Sequence, residues 1–206
     1  MSHTPFRSGT LRQYGVAVRI LLVFTVVLGI GYTAVVTGIG QLALPAQAGG
    51  QPVSDADGQV VGSALIGQSF TDADGNALPQ WFQSRPSAAG SGYDGTASSG
   101  SNLGPENADL IAAIGERRAA VAKLEGVSES EVPADAVTAS ASGLDPQISP
   151  EYARLQVARV AEARDLPEAK VSALVDSFVE GRDLGILGDP TVNVLELNLA
   201  LASMAG

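Results

Sequence analysis

Residues 20–40 read ILLVFTVVLGIGYTAVVTGIG, a stretch without a single charged side chain. An α-helix rises 1.5 Å per residue, so this stretch would extend about 31 Å, close to the roughly 30 Å thickness of a bilayer's hydrocarbon core. The sequence therefore predicts one transmembrane helix over residues 20–40.

The charges on either side of this stretch predict its orientation. Arg7, Arg12 and Arg19 precede it, and no acid occurs before residue 55. All 22 acids follow, with only nine of the 12 Lys and Arg, so the remainder of the chain carries a net charge of −13. By the positive-inside rule, residues 1–19 form a short basic cytoplasmic tail and residues 41–206 form a domain outside the cytoplasm. The predicted localisation is the cell membrane, with a single pass.

A cleaved signal peptide is the alternative to a retained anchor. Residues 46–48, Ala-Gln-Ala, resemble a small-residue cleavage site. The apolar part of a signal peptide usually runs about 7–15 residues, however, and the apolar stretch here is longer. A retained anchor is therefore the favoured interpretation.

Small side chains recur on one face of the predicted helix, at Gly29, Thr33 and Thr37. In lipid such a face lets another helix approach closely, so these residues are candidates for packing against a membrane partner. A solitary anchor, in which the spacing has no role, fits the periodicity equally well.

Composition excludes several kinds of site. The chain has no cysteine, which excludes disulfides and thiolate metal sites, and His3 is its only histidine. A Ser-His-Asp triad in the folded domain and most zinc sites are excluded for the same reason. The acidic domain would repel phosphate backbones, so no nucleic-acid partner is expected. We predict no catalytic residue and no metal ligand.

Two DADG tetrapeptides, at residues 55–58 and 72–75, bracket the sequence QVVGSALIGQSF. Asp-Gly favours tight turns because glycine tolerates positive φ, so residues 59–70 are predicted to form one or two strands. A calcium loop is the alternative, but both copies lack the further spaced ligands and the closing glutamate of such loops. Residues 55–88 are accordingly predicted to be rich in strand.

Residues 105–203 are predicted to be mainly helical. The expected helix boundaries are Pro105 to Gly126, Ser149 to about Arg164, and Pro167 to Gly181. In the second helix the apolar spacing places Arg154, Arg159 and Glu162 away from the core. Residues 194–199 follow a capping-box-like Asn193 and Glu196, although their alternating leucines fit a strand almost as well. Strands followed by helices predict an α+β fold, a single mixed α/β domain after the membrane helix.

Residues 90–104, GSGYDGTASSGSNLG, are crowded with Gly and Ser. Composition alone makes this segment a flexible linker.

Several runs along the chain together resemble the C-subunit family of the Kdp potassium-transporting P-type ATPase. They are residues 37–41 (TGIGQ), 62–68 (GSALIGQ), 85–88 (RPSA), 93–94 (YD), 100–105 (GSNLGP), 142–146 (SGLDP), 148–150 (ISP), 156–161 (QVARVA) and 192–198 (VNVLELN). The resemblance covers nearly everything from residue 20 to 201. It departs from the family pattern at Gln147, where histidine is common, at Ser99, where glycine is usual, and at residues 71–79, which look lengthened.

The resemblance implies a non-catalytic accessory subunit of a high-affinity, ATP-driven potassium uptake complex. Its partners would be membrane lipid, a potassium-channel-like subunit and an ATP-hydrolysing subunit. Potassium is then the transported ion, and ATP is bound at the level of the complex rather than as a cofactor of this chain. Residues 90–104 become an ordered loop, and the Gly29 face a contact with the channel-like subunit. Polar residues of the matching runs are candidate subunit contacts: Arg85, Ser87, Tyr93, Asp94, Ser101, Asn102 and Asp145.

In the family this subunit is described as a catalytic chaperone that raises the ATP affinity of the hydrolysing subunit. The alternative is a chain that contacts nucleotide directly, in a ternary complex with ATP and the ATPase subunit. No Gly-Lys-Ser/Thr phosphate loop is present, and the weak nucleotide candidate is Gln156, for which a packing or capping role on the helix surface is favoured. An outer-surface glycosidase using Asp94, Asp145 or Glu151 is a third, minor alternative, because no carboxylate pair is evident in the sequence.

Overall fold

The structure is a computed structural model that describes residues 7–204. The chain divides into two compact units, Met1–Gln51 and Pro52–Gly206, which are described separately. The predictions for His3 and for the first six residues of the basic tail lie outside the described residues.

The first unit is helical. Its elements are α1 (Arg7–Phe24), a π-helical segment (Thr25–Tyr32), α2 (Thr33–Ala43) and the short α3 (Pro45–Ala48). Residues Leu11–Ala43 form one helix of 33 residues that is long and apolar enough to cross a membrane. The predicted span of residues 20–40 lies inside it.

The small-residue face of this helix crosses a change of helix type. Gly29 lies in the π-helical segment, whereas Thr33 and Thr37 lie in α2. Thr33 and Thr37 keep the i, i+4 spacing that places two residues on one face of an α-helix. The α-helical i, i+4 rule does not place Gly29 on the same face as Thr33 and Thr37, because hydrogen bonds in the π-helical segment span five residues and widen the turn.

The second unit contains two small antiparallel sheets. Strands β1 (Pro52–Ser54) and β2 (Val60–Ser63) form the first sheet. The second comprises β3 (Gln147–Ile148), β4 (Val179–Glu180) and β5 (Thr191–Asn193), with β5 in the centre. Its central strand is buried, since Val192 is fully inaccessible.

The second unit also contains six α-helices among the described residues. They are α4 (Ala108–Glu125), α5 (Ala134–Val137), α6 (Pro150–Leu155), α7 (Val157–Ala163), α8 (Glu168–Ser177) and α9 (Val194–Ser203), with a 3₁₀ turn at Glu129–Glu131. Helices α6 and α9 contact the central strand of the second sheet. The core gathers apolar side chains from α6 to α9, from β5 and from Phe82. The domain is therefore a mixed α/β unit whose core lies in its C-terminal half.

Two predicted helix starts are confirmed by their capping geometry. The Ser149 hydroxyl accepts a hydrogen bond from the Tyr152 N–H at 3.0 Å. The Asn193 side chain accepts from Leu195 N–H at 3.1 Å and from Glu196 N–H at 3.3 Å, so residues 194–199 are helical. A side-chain acceptor at the cap satisfies N–H groups that the first turn leaves unpaired, which fixes where each helix begins.

Other boundaries differ from the prediction. The first helix starts after Asn107, whose side chain accepts from Asp109 N–H at 2.8 Å, and not at Pro105. The predicted second helix is interrupted at Gln156, which separates α6 from α7. The predicted third helix ends at Ser177, because Val179 pairs with Val192 in the sheet. Residues 105–203 thus include three strands that periodicity did not reveal.

Residues 55–88 contain less strand than predicted. Apart from isolated bridges, the described residues of this range hold only β2. The backbone groups of the remainder are satisfied largely by side chains: Gln83 Nε2 donates to Phe70 O at 3.0 Å and Ser84 Oγ donates to Gln68 O at 3.0 Å. Side-chain partners replace the strand ladder here.

The DADG tetrapeptides are turns, as predicted. Asp55 Oδ1 accepts from Asp57 N–H and Gln59 N–H, and Asp72 Oδ1 accepts from Asp74 N–H and Asn76 N–H. The carboxylates thereby cap their own loops, and the glycines at 58 and 75 adopt positive φ.

Candidate subunit-contact site

Four of the seven predicted contact residues meet in one place, which we call the Arg85 cluster: Arg85, Ser87, Tyr93 and Asp145. Arg85 Nη1 lies 2.8 Å from Asp145 Oδ2, and both side chains are about a quarter exposed. The Tyr93 hydroxyl donates to Arg85 O at 2.9 Å and approaches Asp145 O at 3.3 Å. Burial raises the pKa of Tyr93 to about 12, so it remains a neutral donor at physiological pH.

Ser87 joins the Gly/Ser loop to the segment before Asp145. Its hydroxyl donates to Gly143 O at 2.7 Å and accepts from Tyr93 N–H at 2.9 Å and Ala89 N–H at 3.1 Å. One small side chain therefore joins backbone groups that are 50 or more residues apart in sequence.

Two glycines permit the close approach of these segments. A β-carbon on Gly67 would lie 2.5 Å from Asp145 O and from a ring carbon of Tyr93. Gly143 has φ +69°, and a β-carbon there would lie 2.7 Å from Ala89 Cβ and from Ser99 O. The cluster thus requires glycine at both positions. Gly67 is required because there is no space for a side chain, and Gly143 is required for space and for its backbone conformation.

The Gly/Ser loop is fastened to residues 138–146. Ser98 Oγ and Ser99 N–H both donate to Ser142 O, at 2.9 and 3.0 Å. These bonds match the ordered loop implied by the family resemblance rather than a free linker.

The other three predicted contact residues lie in the same loop without joining the cluster. Asp94 Oδ1 accepts from the Thr96 hydroxyl and N–H at 2.7 and 2.8 Å, and these bonds lower the pKa of Asp94. Ser101 and Asn102 are exposed, and Asn102 Nδ2 donates to Gly100 O at 3.2 Å.

An open cleft of about 730 Å³ lies beside the Arg85 cluster. Arg85 and Asp145 line it together with Leu65, Ile66 and residues 138–142. Leu65 and Ile66 are both exposed. The cleft therefore places an ion pair next to exposed aliphatic side chains, and we treat it as a candidate contact surface.

The segment that leads into Arg85 is held by a buried ion pair. Arg159 Nε lies 3.0 Å from both carboxylate oxygens of Glu125, and the two side chains are 8% and 0% exposed. Arg159 Nη1 donates to Pro79 O and to Trp81 O. Burial raises the pKa of Glu125, while the hydrogen bonds and charge of Arg159 act in the opposite direction.

The side-chain amides of Gln156 and Asn198 hold the backbone of Gln83 and Phe82, the residues that follow Trp81. We call this pair of amides the amide clamp. Gln156 accepts from Gln83 N–H at 2.6 Å and donates to Gln83 O at 3.1 Å. Asn198 accepts from Phe82 N–H at 2.9 Å and donates to Phe82 O at 3.0 Å. Each amide donates and accepts one hydrogen bond, as the peptide group of a neighbouring strand would. The buried backbone groups of Phe82 and Gln83 are thus satisfied although they lie outside any sheet.

Two sequence-based placements are corrected by this arrangement. Gln156 was expected on a helix surface, but its side chain is fully buried and all its hydrogen-bonding atoms contact protein. Its role as a weak nucleotide candidate stays a prediction. Arg159 was expected to face away from the core and is 9% exposed. Gln156 and Arg159 are three residues apart, a spacing that places two helical residues on one face, and both contact the buried segment before Arg85.

The three acids of the glycosidase alternative have different surroundings. Asp145 binds Arg85, Asp94 binds Thr96, and Glu151 is exposed in the first turn of α6. Within residues 7–204, no group of three or more His, Asp or Glu side chains is placed to hold a metal ion.

Fold and site define a class of protein: one apolar helix able to cross a bilayer, joined to a mixed α/β domain with an open, partly apolar cleft. Comparison with known proteins identifies the family. The family described as "KdpC: K+-transporting ATPase, c chain" matches residues 14–203.

Curated relatives agree with this match over nearly the whole chain. A protein named potassium-transporting ATPase KdpC subunit from Kineococcus radiotolerans is 58% identical over 195 residues, 95% of each chain. Relatives of the same name from Caulobacter vibrioides and Gemmatimonas aurantiaca are 56% and 54% identical, and the matches cover 86% of this chain and 86% and 85% of theirs. The chain belongs to the KdpC family of K⁺-transporting ATPase subunits. The family resemblance found in the sequence is thereby confirmed.

Proposed function

We propose that this chain is a non-catalytic accessory subunit that stabilises an ATP-driven potassium uptake complex and raises the ATP affinity of its hydrolysing subunit. The observation that carries the proposal is the family match across residues 14–203, which includes both the apolar helix and the α/β domain. The partners would be a potassium-channel-like subunit, which passes the ion, and a subunit that hydrolyses ATP.

The chain would cross the membrane once, with its N-terminus in the cytoplasm. Support comes from the arginines before the apolar helix and the acids after it. The α/β domain then lies outside the cytoplasm, where its Arg85 cluster and the adjoining cleft would contact the channel-like subunit. Thr33 and Thr37, with Gly29 nearby, would be the membrane part of the same interface.

An effect on ATP affinity would have to travel through the other subunits. The proposed orientation separates the α/β domain from cytoplasmic ATP, and Gln156 is buried in protein contacts. Binding of this chain would instead favour the subunit conformation that holds ATP more tightly, an allosteric coupling typically of about 1–3 kcal/mol. The chain would then act as a catalytic chaperone without touching nucleotide.

Titrating the full-length chain into the purified large subunits tests this proposal. We expect the apparent KM for ATP to fall roughly fivefold or more as the chain binds. A photoreactive ATP analogue should label only the hydrolysing subunit. An unchanged KM with the chain demonstrably bound would contradict the proposal. Specific, ATP-competed labelling of this chain would favour the direct nucleotide-contacting alternative instead.

A further inference from the structure

The connection between β4 and β5 carries the two most exposed large apolar side chains of the described α/β domain. Residues 181–190, which we call the hairpin tip, read GRDLGILGDP, and all ten are exposed. The exposed fractions are 90% for Leu184, 76% for Ile186 and 56% for Leu187. Three large aliphatic side chains within four residues form an apolar surface with no partner in the folded domain.

The hairpin tip is held in a defined shape. Asp183 and Leu187 exchange two backbone hydrogen bonds of 2.9 Å each, and Arg182 Nη2 lies 2.8 Å from Asp189 Oδ1 across its base. The strands below it are anchored by the buried Val192. The apolar side chains are thus presented on a closed loop, and little ordering would be needed for them to bind a partner.

The backbone at Leu184 supports a role beyond chain reversal. Leu184 has φ +52°, in the left-handed region that strongly favours glycine or asparagine. If the loop only reversed the chain, glycine or asparagine at position 184 would be sufficient. A strained, fully exposed leucine at the tip instead suggests selection for the side chain it displays.

The charges around the hairpin tip indicate what it contacts. Glu180, Asp183 and Asp189 outnumber Arg182, and Arg182 is already paired with Asp189. Segments that insert into lipid surfaces combine apolar residues with Trp or Tyr and with unpaired Lys or Arg. Residues 179–191 contain no Trp, Tyr or Lys, and their one arginine, Arg182, is paired with Asp189. An anionic lipid surface would also repel a domain of such acidity.

We propose that the hairpin tip docks into an apolar pocket with a basic rim on another protein subunit of the same complex. Leu184 and Ile186 would enter the pocket, and the surrounding carboxylates would face the basic rim. A second copy of this chain is a poorer occupant, because insertion of a tip into a different surface of an identical chain makes an open-ended contact. The inference requires only the family membership, and depends neither on the proposed orientation nor on the effect on ATP affinity.

The absence of cysteine permits a direct test with one engineered thiol. The variant Ile186→Cys is labelled with an environment-sensitive dye and studied in the complete complex, reconstituted in nanodiscs that contain nitroxide lipids. We expect blue-shifted emission, at least fivefold protection from aqueous iodide relative to the isolated chain, and no quenching by the nitroxide lipids. The control variant Glu129→Cys, on an exposed 3₁₀ turn, should be quenched by iodide equally in both preparations.

A substitution provides a second measurement that does not depend on the dye. Leu184→Asp should reduce retention of the chain in the complex about tenfold, since buried apolar anchors dominate interface affinity. The thermal unfolding of the isolated chain should be unchanged, because Leu184 packs against nothing in the domain.

Other outcomes would overturn the inference. Quenching by nitroxide lipids would place the hairpin tip in the bilayer. Disulfide-linked pairs of this chain formed through position 186 would place it against a second copy. Equal iodide quenching in the isolated chain and in the complex, or normal retention of Leu184→Asp, would show that the tip contacts nothing.

Discussion

Replacing Arg159 with methionine is expected to lower the free energy of unfolding by about 3–5 kcal/mol, the usual effect of removing one partner of a buried ion pair. The Glu125 carboxylate would remain fully buried without its counter-charge, and Pro79 O would lose its bond to Arg159. Urea unfolding of the full-length chain in detergent, followed by the fluorescence of the single tryptophan, measures the loss.

The pH dependence of this variant distinguishes the buried charge from lost packing. Burial already raises the pKa of Glu125, and removal of Arg159 would raise it further. A group whose pKa is raised in the folded state stabilises folding most below its unfolded pKa, and that contribution is lost as pH rises through the folded pKa. The destabilisation should therefore be smaller near pH 5 than near pH 8, each relative to the unmodified chain at the same pH.

Matched variants complete this test. Arg154→Met removes an ion pair with Asp176 in which both side chains are about half exposed, and it should change stability by less than about 1 kcal/mol. The double variant Arg159→Met, Glu125→Leu should recover much of the lost stability, because an apolar pair can replace a buried ion pair at little cost. If Arg159→Met were as mild as Arg154→Met, Arg159 could not be the residue that holds the segment leading to Arg85.

The second large effect is expected for Gln156→Leu, which keeps the side-chain volume but removes one half of the amide clamp. The buried N–H and C=O of Gln83 would both lose their partners. Each unsatisfied group costs about 1–3 kcal/mol, so the free energy of unfolding should fall by about 2–6 kcal/mol. The same urea titration measures it.

An exposed glutamine supplies the control for this substitution. Gln59→Leu, in the first DADG turn, should stay within about 0.5 kcal/mol of the unmodified chain. The result also separates two roles of Gln156. Unchanged stability combined with a raised KM for ATP in the complex would contradict the clamp and favour direct nucleotide contact.

Features that depend on neighbours in sequence were predictable. The apolar helix is visible as an uninterrupted lipophilic run, and Ser149 and Asn193 identify helix starts because capping acts within three residues. The DADG turns follow from the same kind of local hydrogen bond. The prediction was wrong about strand content in residues 55–88. Turn signals at each end of a segment predict an extended chain between them, but they do not say whether another strand or a side chain will pair with its backbone groups.

Some residues of the candidate site were predictable, but their contacts were not. Arg85, Ser87, Tyr93 and Asp145 were singled out through the family resemblance, but the bonds that join the first three to Gly143 and Asp145 cross more than 50 residues of sequence. Arg159 was misplaced for a similar reason. Helical periodicity treats every charge as solvent-seeking, whereas its partner Glu125 lies 34 residues away in α4 and is invisible to a local pattern.

The side on which the α/β domain lies is the claim on which the proposed function depends most. A single cysteine at the exposed Glu129, in a chain that otherwise has none, can be treated with a membrane-impermeant maleimide in intact cells. A second variant, Ser2→Cys, reports the side of the membrane on which the basic tail lies. We predict that Glu129→Cys is labelled in intact cells and Ser2→Cys only after the membrane is permeabilised. Labelling of Glu129→Cys only after permeabilisation would place the domain in the cytoplasm and contradict the account.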